Sequence, residues 1–416
     1  MIRMDSRKRI LSCIDHKEPD RVPIDLGSTN CTGISAIAYH NLKQHLGIKS
    51  GHVRVYDVIQ QLAQPEYEIL DLFNVDALDI GRTFESHDND WYDIHVNNID
   101  MQWPKWFQPR HNSDDSYDVL NSDGIVISRM TKDALVFDQT YFPSLVDYPE
   151  DYKDFYKILR KNFFVSIAPL NNIDQKGFWK ILRKNTIELR EQSKKAIVIN
   201  YGSAFFEVGN SFRRMDKFLI DIARNPTKVE RFCDYLMDFH FKSLKAICEH
   251  IGDVVDIIRI GDDLGENNGP FFNPKTFQQI FKPRMTEIFD FIKKHSSMKI
   301  LFHSCGSIAT LLPDLIETGI DILNPVQINA RDMDPKFLKE NFGDDIAFWG
   351  GGADTRNVIN RQSPQEVKNH VLELLETFAP GGGYVWNTVH NILPDVPPEN
   401  ILAMFKAIKE FNNNYY

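Results

Sequence analysis

From residue 196 onward the chain alternates between two hydrophobic rhythms. Short runs rich in β-branched and aromatic residues are AIVINYG (196–202), VDIIRIGDD (255–263), KILFHSCG (299–306), DILNPVQ (321–327), IAFWGGG (346–352) and YVWNTVHN (384–391). Between them lie longer stretches with apolar residues at helical spacing, such as PKTFQQIFKPRMTEIFDFIKKH and SPQEVKNHVLELLETFA. Strands alternating with helices predict right-handed βαβ units and a parallel sheet. Two earlier runs, RVPIDLG (21–27) and VDALDIG (75–81), bring the count to eight strands. Eight is the number of a closed (β/α)8 barrel, the TIM-barrel architecture. No G-x-G-x-x-G follows the first run, which weighs against an open dinucleotide-binding sheet. We therefore expect one α/β barrel domain spanning residues 1–416.

Residues 84–150 break this rhythm. They are rich in Asp, Asn, Trp and Tyr and contain short alternating pieces, YDIHVNN and GIVISRM. They predict a small antiparallel insertion after the second strand, in a place where barrels carry lids or subunit contacts. The aromatic cluster near 91–107 is expected to pack that insertion or an interface. The final FNNNYY reads as a frayed tail.

Composition narrows the class. Of 416 residues, 42% are apolar and 25% charged, enough to bury a large core. The formal net charge of −10 argues against nucleic acid or an anionic membrane as the main partner. The N-terminal stretch has no apolar run of signal-peptide type, and no segment reaches the roughly 20 apolar residues of a membrane span. Five scattered cysteines are not a disulfide framework, so a reducing cytoplasm is the expected location. Cys13, Cys31, Cys233 and Cys248 are assigned to structure.

In a barrel the chemistry sits where strands end. The predicted strands end in Asp25; Asp79 and Arg82; Asn200 and Tyr201; Asp262 and Asp263; His303 and Cys305; Asn324 and Gln327; Gly350, Gly351 and Gly352 with Asp354; and Asn387 and His390. His303 and Cys305 are two apart, so a strand presents both to one side. Imidazole and thiolate are preferred zinc ligands, and His390, closing the last strand, is the third candidate. Three protein ligands with one open position would make a catalytic centre. Against this, a strand-end histidine is usually only hydrogen-bonded, a buried cysteine is usually a small hydrophobe, and an Asp-Asp pair usually caps a loop or helix.

The blocks EPDRVPIDLG, FNVDALDIG, IIRIGDDLGENNGPFFNPKTFQQIFKPRM, ILFHSCGSIATLLPDLIETGIDILNPVQ, FWGGGADTRNVI and VHNILPDVPPENILAMFKAI together resemble the uroporphyrinogen decarboxylase superfamily. The resemblance implies a (β/α)8 barrel and two chemistries: cofactor-free decarboxylation of uroporphyrinogen, or zinc-dependent methyl transfer with a corrinoid protein or a thiol. The methyltransferases carry a His-x-Cys pair and a later cysteine; here the pair is His303 and Cys305, and His390 stands at the later position. The same histidine also resembles one in the decarboxylases' final block. The decarboxylases' arginine-rich RQAGR segment is replaced by DLGSTNCTG, and Thr83 stands where their catalytic aspartate is expected.

The resemblance thus points to a zinc methyltransferase with His303, Cys305 and His390 as ligands and Asp262, Asp263 or Glu207 as fourth ligand or general acid. Substrate contacts are expected from Asp25, Arg82, Asn200, Tyr201, Asn324, Gln327, Gly351 and Asp354, with the glycines at 350–352 allowing close approach. Expected partners are a small methyl donor or acceptor, a corrinoid protein, and a second copy of the chain. The alternatives are a decarboxylase of uroporphyrinogen type, for which Arg82 and Arg259 are the strand-end cations, and a non-catalytic corrinoid- or tetrapyrrole-binding barrel.

Overall fold

The computed structural model describes residues 4–152, 155–162 and 169–416. Among these residues seven parallel strands follow one another in chain order: Ala77–Asp79, Ala196–Ser203, Ile257–Gly261, Lys299–His303, Ile322–Asn324, Ala347–Trp349 and Tyr384–Val385. The predicted first strand appears as a shorter closing segment. Asp25 N–H donates to the Trp386 carbonyl (2.9 Å), Trp386 N–H to the Pro23 carbonyl (2.9 Å), and Asp76 N–H to the Ile24 carbonyl (2.7 Å). Residues 22–26 therefore join the two edge strands. Pro23 has no N–H to extend a ladder, so only a bridge between Ile24 and Trp386 forms.

Alternation along the strands decides what faces the lumen. Ala77, Ala196, Val198, Ile257, Leu301, Ile322, Ala347, Trp349 and Val385 form one buried cluster with Ile10 and Ile14. The two isoleucines lie on helix Ser6–Ile14, which covers the base of the barrel. Its N-cap is Asp5, whose side chain accepts from Lys8 N–H. Burying Ile10 and Ile14 contributes roughly 1.5–3 kcal/mol each. Two residues further along the same strands, the lumen side changes character to Asp79, Asn200, Arg259, His303, Asn324 and Asn387. An apolar floor thus lies beneath a polar mouth.

The connection between the second and third barrel strands, counting the closing segment as the first, holds the antiparallel pieces. Trp91–Val96 pairs with Ile99–Pro104. A four-stranded sheet joins Arg110–His111, Tyr117–Leu120, Val126–Met130 and Asp138–Gln139. Trp103 is fully buried here, edge-on to Phe107, Tyr117 and Phe137, and its indole N–H donates to Gln61 Oε1 (3.1 Å). The C-terminal residues are not frayed: helix Pro398–Tyr415 runs almost to the end. Phe411 is buried, and Asn412 Oδ1 accepts the N–H of Val22 (3.0 Å), so the tail braces the closing segment.

Candidate metal centre

His303 ends its strand with Gly261 and Asn324 beside it on the neighbouring strands. The Asn324 side chain donates through Nδ2 to the Trp349 carbonyl (2.8 Å), so its Oδ1 is left as acceptor and faces His303 Nδ1 at 2.6 Å. That contact requires the proton on Nδ1. The lone pair is therefore on Nε2, which faces Cys305 Sγ and Asp263 Oδ1, each at 3.5 Å. Burial, with Arg259 as the next cause, lowers the His303 pKa to about 3, so the ring is neutral at physiological pH. A neutral imidazole with its other nitrogen hydrogen-bonded is the usual form of a metal-binding histidine.

Two groups of possible ligands share His303. Asp263, His303 and Cys305 present atoms within 4.8 Å of one another, and so do Cys31, His303 and His390. Ligands on one tetrahedral zinc stand about 3.3–3.8 Å apart, given bonds of about 2.0–2.3 Å. The two 3.5 Å separations around His303 Nε2 already match that spacing. The donor chemistry, imidazole with thiol and carboxylate, suits zinc. The rings of His303 and His390 lie 5.4 Å apart, inclined at 66°. His390 is also held neutral, its pKa lowered to about 3 by burial and then by His303. The expected trio of His303, Cys305 and His390 is thus divided: Cys305 groups with Asp263, and His390 groups with Cys31.

The sequence pattern assigns Cys31 to structure; the fold places its thiol in the mouth, with its ligand atom within 4.8 Å of those of His303 and His390. It lies in the first loop beyond the closing segment, one residue after Asn30. The only signal is its position in a βα loop, because nothing in GSTNCTG spells out a ligand spacing. Burial pushes its thiol up to about 12. Cys305 is likewise raised well above its ordinary range, by burial and then by Asp263. Both thiols are therefore protonated at neutral pH, Cys31 in spite of the Arg259 guanidinium beside it, which acts to lower its pKa.

The two aspartates divide their roles. Asp262 is fully buried, and its carboxylate accepts the backbone N–H groups of Phe205 (2.7 Å) and Glu207 (2.9 Å). It caps helix Phe206–Arg213, and burial raises its pKa to about 6. Asp263 accepts the N–H of Cys305 (2.8 Å) and keeps 38% of its side chain exposed, at the open edge of the site. Glu207 accepts from Ser203 Oγ (2.6 Å), and burial followed by Asp263 and Asp262 raises its pKa to about 8.

The other expected contacts separate by strand parity and by packing. Asn200 faces inward. Tyr201, one residue on, donates its hydroxyl to His240 Nδ1 (2.7 Å) on helix Pro226–Ile251, away from the mouth. Asp25 is fully buried and accepts from Ser28 Oγ (2.7 Å) and Trp349 Nε1 (2.9 Å). Arg82 donates to the Pro65 carbonyl (2.7 Å) and lies over the Tyr67 ring. Gln327 accepts the N–H of Gly306 (2.8 Å) and so steadies the loop that carries Cys305. Asp354 is occupied by Asn329 Nδ2 and by the N–H groups of Arg356 and Asn357. The glycines serve the protein's own packing. A Cβ on Gly350 would sit 2.2 Å from the Pro325 carbonyl oxygen, and one on Gly352 would sit 2.3 Å from the Trp386 indole nitrogen. Gly351, with φ +66°, would press on Val326 and Ile328 at 3.2 Å.

The family model of uroporphyrinogen decarboxylase (URO-D) matches residues 203–411, half of the chain and every strand end from Asp262 to His390. The chain belongs to the uroporphyrinogen decarboxylase family. Among curated relatives, the uroporphyrinogen decarboxylase of Hydrogenovibrio crunogenus is 25% identical over 50% of this chain and 55% of its own length. That of Pseudoalteromonas translucida is 27% identical over 36% and 40%. These matches thus span about half the length of the curated relatives or less. A solved methyltransferase from Methanosarcina mazei shares the fold across 98% of this chain and 99% of that one, with TM-score 0.59 and 16% identity. The family barrel is thereby established for the chain. Of the two positions singled out in the sequence, Thr83 donates its hydroxyl to the Ile80 carbonyl (2.8 Å) and finishes a turn, and the DLGSTNCTG loop carries the Cys31 thiol to the mouth.

Proposed function

We propose that this enzyme-family barrel is a zinc-dependent methyltransferase, moving a methyl group between a small methylated molecule and a thiol or a corrinoid carried by a partner protein. The observation that carries the reading is the Asn324–His303 contact, which aims an imidazole lone pair into a set of thiol, imidazole and carboxylate groups at the barrel mouth. When bound there, zinc supplies Lewis acidity that lowers the proton affinity of a sulfur brought to it. Methyl transfer to a thiol forms a carbon–sulfur bond from the sulfur lone pair. The donor departs with its bonding pair, and the S–H proton passes to a base. Glu207 holds a proton at neutral pH, since burial raises it to about 8, and it can give that proton to a departing oxygen or nitrogen. Asp263, at the exposed edge, orients the Cys305 loop through the Cys305 N–H.

A decarboxylase reading draws on the names of the curated relatives and on Asp79, a buried strand-end carboxyl raised to about 7 by burial. Metal analysis separates the two. Purified protein should hold about one zinc per chain and convert methylcobalamin and 2-mercaptoethanol to the methyl thioether, with loss of both properties on chelation. Protein that neither retains nor rebinds zinc would end the methyltransferase reading.

A further inference from the structure

We propose that Cys31 is a thiolate ligand of the metal held by His303 and His390, so that the centre draws one donor from the first loop of the barrel; this rests on the metal-dependent reading above. The neighbours of its sulfur are polar. Arg259 Nη2 donates to Sγ at 3.2 Å, Asn30 Oδ1 lies at 3.6 Å, and ligand atoms of His303 and His390 lie within 4.8 Å. A cysteine kept for packing would sit among hydrocarbon. An N–H donated to a thiolate is a contact that orients and tunes a metal-bound sulfur. Arg259 is 5% exposed, and its Nε has no hydrogen-bond partner among the described residues.

The backbone holds Cys31 and His390 in fixed relation. Asn391, next to His390, accepts the Gly33 N–H through Oδ1 (2.7 Å) and donates through Nδ2 to the Asn30 carbonyl (3.1 Å). Ile392 N–H donates to the Gly33 carbonyl (2.9 Å). One side chain thus clamps the residues on both sides of Cys31 to the residue following His390. His390 itself sits at φ +64°, a left-handed conformation costly for a residue with a Cβ, and here it brings the ring against His303. Ligands fixed in this way before metal arrives are characteristic of a built centre.

The test uses the full chain, stripped of metal and loaded with cobalt(II) alone, because thiolate-to-cobalt charge transfer gives a near-ultraviolet band that nitrogen and oxygen ligands do not. Wild-type protein should show the band, and Cys31→Ser should lose all or part of it at equal cobalt occupancy. A band unchanged in Cys31→Ser and abolished in Cys305→Ser would overturn the role of Cys31 and leave the metal site standing. Absence of cobalt and zinc binding by wild-type protein would instead defeat the metal-dependent reading, and this inference with it. Should Cys31→Ser fail to fold, X-ray absorption of zinc-loaded Cys305→Ser decides. One sulfur at about 2.3 Å supports Cys31, and none overturns it. Cys13 packs against Tyr384, and Cys233 and Cys248 lie on helix Pro226–Ile251, so none of them supplies that sulfur.

Discussion

Asn324 sits between His303 and Trp349, accepting from the imidazole Nδ1 at 2.6 Å and donating to the indole residue's carbonyl at 2.8 Å. The second contact fixes which way the amide points, and the first then fixes which imidazole nitrogen carries the proton. Replacing Asn324 with Ala releases the ring to the other tautomer and to other rotations. Removing such a partner typically lowers metal affinity about 10–100-fold. Zinc affinity measured by competition with a chromophoric chelator should fall by that order in Asn324→Ala. An unchanged affinity in folded variant protein would show that the contact does not organise the site.

The sequence pattern offers Asp262 as a ligand or acid, and its hydrogen bonds instead place it under the backbone of helix Phe206–Arg213. Asp262→Ala leaves the Phe205 and Glu207 N–H groups without their carboxylate acceptor. The loss of stability should be about 1–3 kcal/mol, read as a lower urea midpoint. Zinc content should be unaltered, because no atom of Asp262 belongs to either ligand group. Loss of zinc from protein that remains folded would return Asp262 to the chemistry.

Strand ends are legible because runs such as KILFHSCG change from apolar to reactive within one residue, and strand parity then carries His303, Asn324 and Asn200 into one lumen. The same parity, applied one residue on, assigns Tyr201 to the helix layer. What the pattern does not contain is the path of loops. Cys31 reaches the mouth through the turn at 27–32 and the Asn391 clamp, contacts separated by nearly the whole chain, and no local spacing signals them. Proline is the other obscuring factor: Pro23 shortens the first strand to a bridge, and Phe281 with Pro283 divides the predicted long helix into Pro274–Ile280 and Lys282–His295.

The mouth is expected not to process uroporphyrinogen. The Thr83 hydroxyl is engaged by the Ile80 carbonyl, and Arg82 is directed to Pro65 and Tyr67 rather than to a free carboxylate site. Chromatography of the oxidised porphyrins after incubation with uroporphyrinogen should show no coproporphyrin above a heat-killed control. Its appearance would favour the decarboxylase reading.

His240 offers a test of the core that does not involve the metal centre. Its ring is clamped between the Tyr201 hydroxyl at Nδ1 (2.7 Å) and the Ala204 carbonyl at Nε2 (2.9 Å). Burial lowers its pKa from 6.5 to about 4. The folded state thus favours the neutral ring, while the unfolded chain takes up a proton as pH falls below about 6.5. This group's contribution to stability is therefore present above pH 6.5 and is lost as pH falls toward 4. Glu207, Asp79 and Asp262, raised to about 8, 7 and 6, act with the opposite sign, their contribution growing as pH falls. The pH profile of the wild-type protein alone therefore mixes the two effects, and comparison with His240→Asn isolates one. The stability difference between wild type and variant should shrink by about 3 kcal/mol between about pH 7 and pH 4, because each tenfold change in proton affinity is worth about 1.4 kcal/mol. Urea midpoints of both proteins at half-unit pH intervals give that difference, and a difference independent of pH would show that the ring is not held neutral.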